Sequence, residues 1–167
     1  MILVYTGDGK GKTSAAVGQA LRAHGQGLDV AFAQFMKRGG RAGEQKALSE
    51  LLGTRFFAGG AGFFVKYDEY ERHRQAALSV LAWAEEQLPD ADMLVLDEAL
   101  YALRSGLLLE EELRALVTKT RERGAHLVLT GRGLPEWLRN EADLITEVVP
   151  LKHPLRQGQK ALKGIEF

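Results

Sequence analysis

Apolar residues in this chain fall into short continuous runs separated by longer stretches with helical spacing. Ile2 to Tyr5, Val30-Ala31-Phe32-Ala33 within a strand from Asp29 to Gln34, Met93-Leu94-Val95-Leu96, and His126 to Thr130 are apolar at nearly every position. That pattern fits a parallel strand covered on both faces. Thr54 to Phe57 and Leu144 to Val149 read as two further short strands. Between them, helices are expected over Lys12 to His24, with Ala16, Ala20, Leu21 and Ala23 available for packing, and over Gly43 to Leu52. A long helix opens at an Asp68–Glu71 capping pair, runs to about Leu88, and stops at Pro89-Asp90. Glu110 to Arg123 is acidic at its start and basic at its end, as the helix dipole favours, with Gly124 as the stop. Pro135 opens a short helix through Arg139. Strands alternating with helices over short connections predict an α/β, three-layer domain with a mostly parallel sheet of five or six strands.

The length, 167 residues, suits one domain spanning 1–167 and is enough for a sizeable core. Lysine plus arginine equals aspartate plus glutamate, 22 of each, so net charge gives no ground for bulk nucleic-acid or membrane binding. The absence of cysteine excludes disulfides and thiolate metal sites. No run reaches membrane-spanning length and Met1-Ile2-Leu3-Val4 lacks a signal-peptide layout, so the cytoplasm is the expected compartment.

The chemistry concentrates where the first strand ends. Thr6-Gly7-Asp8-Gly9-Lys10-Gly11-Lys12-Thr13-Ser14 breaks into three glycines within five residues and then opens a helix. Strand, glycine loop and helix make a phosphate-binding P-loop: backbone N–H groups form a nest, Lys12 reaches phosphate, and the Thr13 hydroxyl is placed for magnesium. The usual pattern asks for glycine at position 6, where this chain has Thr6 and delays the glycine to Gly7. Asp97-Glu98 at the end of the third apolar run is read either as the acid that a P-loop needs for its metal or as a helix start. Arg132, in the turn after His126–Thr130, falls at the same sheet edge, where open α/β sheets bind ligands. Lys37 to Arg41 is either a solvated basic turn or a phosphate contact. Ala58 to Val65, rich in glycine yet apolar, is either a pocket wall or a loop whose Phe63 and Phe64 enter the core. Gln34 and Gln45 are the available but unsupported candidates for positioning a water at a γ-phosphate. The expected fold is P-loop NTPase-like, of the RecA-like kind.

Taken in order, Thr6 to Ala16, Val-Leu-Asp-Glu at 95–98, Thr130-Gly131-Arg132-Gly133, Ala142-Asp143 and Lys152-His153 before a glycine-bearing end resemble the corrinoid adenosyltransferases of the CobA/BtuR type over nearly the whole chain. The displaced glycine is that family's own form. The resemblance implies transfer of the 5′-deoxyadenosyl group of ATP to the Co(I) centre of a corrinoid, with release of triphosphate. The nucleophile is then the cobalt, and no catalytic base is required of the protein. It implies catalytic roles for Lys12, Thr13, Glu98 and Phe63. ATP would be bound by Gly7, Asp8, Gly9, Lys10, Gly11, Lys12, Thr13, Ser14 and Arg132, and Mg2+ (or Mn2+) held at Thr13 and Glu98 with Asp97 orienting that shell. Phe63, Phe64 and Val65 are the implied corrinoid contacts, with Val65 standing where the family's Gly-Phe-x-Trp segment has tryptophan. Longer members carry an N-terminal arm, and this sequence opens at its first strand, so a site without the arm is expected. A homodimer and an electron donor such as a flavoprotein are implied partners. Two other readings stand beside it: a P-loop kinase or NTPase acting at the γ-phosphate, and a nucleotide-dependent corrinoid-binding module.

Overall fold

The apolar runs become the central strands of a six-stranded parallel sheet. In the computed structural model, which describes residues 1–62, 64, 69–154, 158 and 160–165, these strands are β1 (Ile2–Thr6), β2 (Val30–Gln34), β3 (Phe56–Ala58), β4 (Met93–Asp97), β5 (His126–Thr130) and β6 (Leu144–Glu147). Their order is β3-β2-β4-β5-β1-β6. Every residue of β2 and β4 is buried, because both faces are covered.

Successive side chains leave a strand on opposite faces, which sorts the core into two layers. On one face Leu3, Phe32, Val95 and Val128 meet Ala16, Ala20 and Ala23 of α1 (Lys12–Gly25) and Leu48 of α2 (Gly43–Leu52). On the other, Ile2, Val4, Leu94, Leu96, Leu127 and Leu129 meet α3 (Tyr70–Gln87), α4 (Ala99–Arg104), α5 (Glu110–Arg123) and Leu138 of α6 (Glu136–Glu141). The alanine face of α1 lets that helix lie close to the sheet, whereas Leu21 is 56% exposed and takes no part in this packing.

Several boundaries differ from the sequence expectation for identifiable reasons. Residues 53–55 form a 3-10 turn, and β3 starts at Phe56, where pairing with Phe32 brings the two rings to 6.2 Å. β6 stops at Glu147, opposite Thr6, because Val148 is diverted: it donates to the Thr6 carbonyl and accepts from the Gly9 N–H, both at 2.8 Å. α3 begins at Tyr70 with Glu69 at its cap position, and Asp68 lies outside the described residues. α4 answers the alternative reading of Asp97-Glu98 as a helix start. It follows Glu98, whose φ of 62° is the left-handed conformation that turns the chain sharply out of β4. Among the described residues, no helix is long and apolar enough to cross a membrane.

Candidate active site

The C-terminal ends of β1, β2, β4 and β5 converge on a cavity of about 650 Å³. Gly9 to Ser14 form one wall, Lys37 and Glu44 another, and Glu98, Tyr101 and Arg132 a third. The displaced glycine has a structural reason. Thr6 is still a strand residue, paired with Glu147 and buried, so the chain cannot turn there. It turns at Gly7, where φ is 101° and a Cβ would come within 2.6 Å of the Val148 carbonyl oxygen. Only glycine fits both conditions. The loop is therefore pinned from outside by the residue after β6, with its helix opening at Lys12.

Lys12 folds back over this loop, its ammonium donating to the carbonyls of Gly7 (2.8 Å) and Gly9 (2.7 Å). Burial holds it below the usual lysine range, opposed by the nearby Glu98 carboxylate. Thr13, one residue on, donates to Asp97 Oδ1 at 2.9 Å. Asp97 is fully buried and entirely engaged: Thr130 donates to the same oxygen at 2.6 Å, Gln34 to Oδ2 at 3.0 Å, and Lys37 lies 3.3 Å from Oδ2. Strand register explains the set, because Gln34 pairs with Asp97 across β2 and β4. Thr130 also accepts from the Glu98 N–H at 2.9 Å, which fixes the turn into α4.

Glu98 lines the cavity, whereas Asp97 lies behind it. Burial and the adjacent Asp97 charge raise the proton affinity of the Glu98 carboxyl above the usual range, against Lys12, Lys37 and Arg132. Lys37 pairs with Glu44 at 2.7 Å and reaches Thr13 Oγ1 at 3.4 Å. Burial works against its charge, but Asp97 and Glu44 outweigh it and hold the ammonium above the ordinary lysine range. Arg132 donates to the Asp8 carbonyl at 3.2 Å, and its turn depends on Gly131, where a Cβ would lie 2.7 Å from the Tyr101 nitrogen.

The donor set fits a hard cation. Among the described residues, no group of three acidic or histidine side chains forms a metal cluster. A cation would be held by a hydroxyl, a carboxylate and the ligand's own oxygens. Thr13 gives its proton to Asp97, so its oxygen keeps lone pairs to offer a cation, one of them now facing the Lys37 ammonium at 3.4 Å, and Glu98 is a partly buried carboxylate whose charge a cation would offset.

Of the residues singled out in the sequence, Gly9, Lys10, Gly11, Lys12, Thr13, Ser14, Glu98 and Arg132 line the cavity together. Gly7 and Asp8 face an adjoining cleft of about 280 Å³ that shares Arg132. Phe64 is half-buried and stands apart, edge-on to Tyr70 at 6.2 Å and to His73 at 5.4 Å. Phe63 and Val65 lie outside the described residues. Sequence reasoning did not place Thr130 beside Asp97, nor Glu44, Tyr101, Gly164 and Ile165 in the cavity lining. It left Lys37 undecided and offered Gln34 and Gln45 only as unsupported candidates for positioning a water. Gln45 donates to Gln34 Oε1 (2.7 Å) and the Arg38 carbonyl (3.1 Å), and accepts from the Arg41 N–H (2.9 Å). Both amides are spent holding β2 to α2 and Asp97.

Comparison with known proteins bears on what this cavity serves. Residues 1–167 match the family model described as ATP:corrinoid adenosyltransferase BtuR/CobO/CobP. The chain is 36% identical over 173 residues to a corrinoid adenosyltransferase of Sinorhizobium sp, covering 100% of this chain and 80% of that protein. It is 37% identical over 170 residues to the corrinoid adenosyltransferase CobA of Salmonella typhimurium, and 36% over 170 to that of Escherichia coli K12, covering 100% of this chain and 85% of each. Among solved structures, the replication initiator DnaA bound to AMPPCP and single-stranded DNA aligns with a TM-score of 0.47 at 13% identity, over 88% of this chain and 40% of that one.

Proposed function

Since the chain belongs to the ATP:corrinoid adenosyltransferase family BtuR/CobO/CobP, we propose that its P-loop cavity holds the triphosphate of ATP as a leaving group while C5′ faces the corrinoid. The activity is ATP-dependent adenosylation of a corrinoid. In the proposed reaction the Co(I) lone pair forms the Co–C5′ bond, the C5′–O5′ bond breaks, and its electron pair leaves on triphosphate. Cobalt thereby passes from Co(I) to Co(III).

The observation that carries this reading is a polyphosphate-sized cationic cavity whose nearby amides are unavailable for water. Gln34 and Gln45 have their polar atoms committed to Asp97, Glu44, Arg38, Arg41 and each other. Neither can orient a water at a γ-phosphate, which disfavours hydrolysis and supports a site that only binds, orients and stabilises. In this reading Lys12 shifts from the Gly7 and Gly9 carbonyls onto phosphate oxygens, and the loop N–H groups and Ser14 complete the clamp. Arg132 holds Asp8 and meets the same anion. Thr13 and Glu98 would hold Mg2+ (or Mn2+), with Asp97 fixing the Thr13 hydroxyl. The cation would neutralise charge building on the departing triphosphate. Phe63, Phe64 and Val65 would face the corrinoid. The reading includes a homodimer, a flavoprotein-type electron donor and a cytoplasmic setting.

The test is direct. Incubation with Co(I) cobalamin, ATP and Mg2+ in the dark is expected to give a light-sensitive organocobalt product and triphosphate in equal amounts. ADP and phosphate with no cobalt–carbon product would overturn the proposal.

A further inference from the structure

Lys37 is the cavity cation that the P-loop does not supply and the reaction has not yet used. It leaves the C-terminal end of β2 with its side chain 24% exposed, and its ammonium sits 3.4 Å from Thr13 Oγ1. That places it beside the hydroxyl from which a P-loop holds its ligand, while Lys12 occupies the loop itself. We propose that Lys37 is a second triphosphate-binding lysine, contacting the phosphate chain from the β2 side alongside Thr13 and opposite Lys12. The assignment rests on reading the cavity as the ATP site.

Three features favour a mobile binding group over a fixed structural ion pair. First, the carboxylates beside Lys37 keep hydrogen-bond donors without it. Without it, Asp97 still accepts from Thr13, Thr130 and Gln34, and Glu44 still accepts from Gln34 Nε2 at 3.3 Å. Lys37 can therefore move without leaving a carboxylate short of hydrogen bonds, and a cation arriving at Thr13 with ATP would replace its charge beside Asp97. Second, its backbone is anchored where its side chain is not: the Lys37 carbonyl accepts from the Gly60 N–H at 3.1 Å. Only the four-carbon stem has to swing, and lysine is suited to following a phosphate as a point charge. Third, a divalent cation on Thr13 Oγ1 and an ammonium 3.4 Å from that oxygen repel each other. Metal-bound ATP would drive Lys37 away from Thr13, and the open volume it lines is where the phosphates would lie.

The experiment measures binding of inorganic triphosphate, ATP and AMP, with and without EDTA, to the wild-type chain and to Lys37→Met, Lys37→Arg and Glu44→Gln. Lys37→Met is expected to weaken triphosphate and ATP by about 10- to 100-fold, the loss of one charge-assisted hydrogen bond, and AMP far less. The loss should persist in EDTA, and Lys37→Arg should recover part of it. Glu44→Gln removes the anion competing for Lys37 and should tighten triphosphate, the opposite sign to any role in which the pair merely supports the fold. Triphosphate binding unchanged in Lys37→Met, or weakened together with AMP and not rescued by arginine, would overturn the assignment. So would a loss in Glu44→Gln, which also decides the matter if Lys37→Met does not fold. A wild-type chain that binds no triphosphate would instead remove the reading of the cavity itself.

Discussion

Glu98 concentrates the conflict between stability and chemistry in one residue. Its backbone is left-handed at φ 62°, a conformation that costs a side-chain-bearing residue about 1–3 kcal/mol, and its carboxyl is partly buried next to Asp97. Burial first, and Asp97 second, raise its pKa above the ordinary carboxylate range. The folded chain thus binds this proton more tightly than the unfolded chain does. Below the ordinary carboxylate pKa both states are protonated and the group costs nothing. As pH rises towards the raised value, the unfolded state ionises first and stability falls, leaving a constant penalty above it. Glu98→Gln keeps the backbone strain but removes the charge. Its melting temperature in the absence of ATP and Mg2+ should therefore exceed that of wild type at pH 7, by about 2–4 °C for each kcal/mol relieved. The gain should shrink as pH falls into the ordinary carboxylate range, and adenosylation should be lost. Calorimetry at several pH values checks the sign, and a gain that does not depend on pH would rule out this account.

The end of β2 joins the cavity to the glycine-rich loop. It presents Lys37 to Thr13, and it holds the loop that runs from Ala58 towards Phe63. Gly60 donates to the Lys37 carbonyl, Arg38 pairs with Gly59 in an antiparallel bridge, and the Arg38 side chain donates to the Ala61 carbonyl at 2.6 Å. The loop lies so close that a Cβ on Gly60 would stand 2.2 Å from the Phe35 carbonyl oxygen and 2.5 Å from the Met36 carbonyl carbon. These are backbone atoms and cannot rotate away, so Gly60→Ala must displace the strand end or the loop. We expect a loss of about 1–3 kcal/mol in denaturant unfolding and a clear fall in activity. Gly39→Ala is the control on the same segment: its Cβ would meet only the Ala58 carbonyl oxygen at 3.7 Å, an ordinary contact, and both quantities should stay near wild type. Equal effects of the two substitutions would show that the loop is not packed on β2 in this way.

At the scale of the whole molecule, what could be read from the sequence and what could not divide by the range of the interaction. The layered architecture was legible because a strand covered on both faces is apolar at successive positions, as in Leu94-Val95-Leu96, and α5 carries its own charge gradient and glycine stop. The P-loop was legible for the same local reason. α4 was not legible beyond the alternative helix start at Asp97-Glu98, because it is only six residues long and opens from a left-handed backbone at Glu98. Nor was the cluster around Asp97, because Gln34 and Lys37 reach it only through the pairing of β2 with β4, and the loop's latch at Val148 comes from the far end of the chain. A cavity assembled from the ends of four strands makes ligand binding a property of the whole fold. It cannot be occupied in a chain that has lost its sheet, so a bound ligand adds its binding free energy to global stability. Mg2+ and ATP at about 100 times Kd should add about 2.7 kcal/mol, which for a chain of this size is a rise of about 5–11 °C in Tm. Lys12→Met, which keeps the apolar stem and removes the ammonium, should melt with little or no ATP-dependent shift. Thermal scans of both proteins with and without ATP and Mg2+ measure it, and a shift of the same size in the two would mean that the stabilising nucleotide binds elsewhere than in the P-loop.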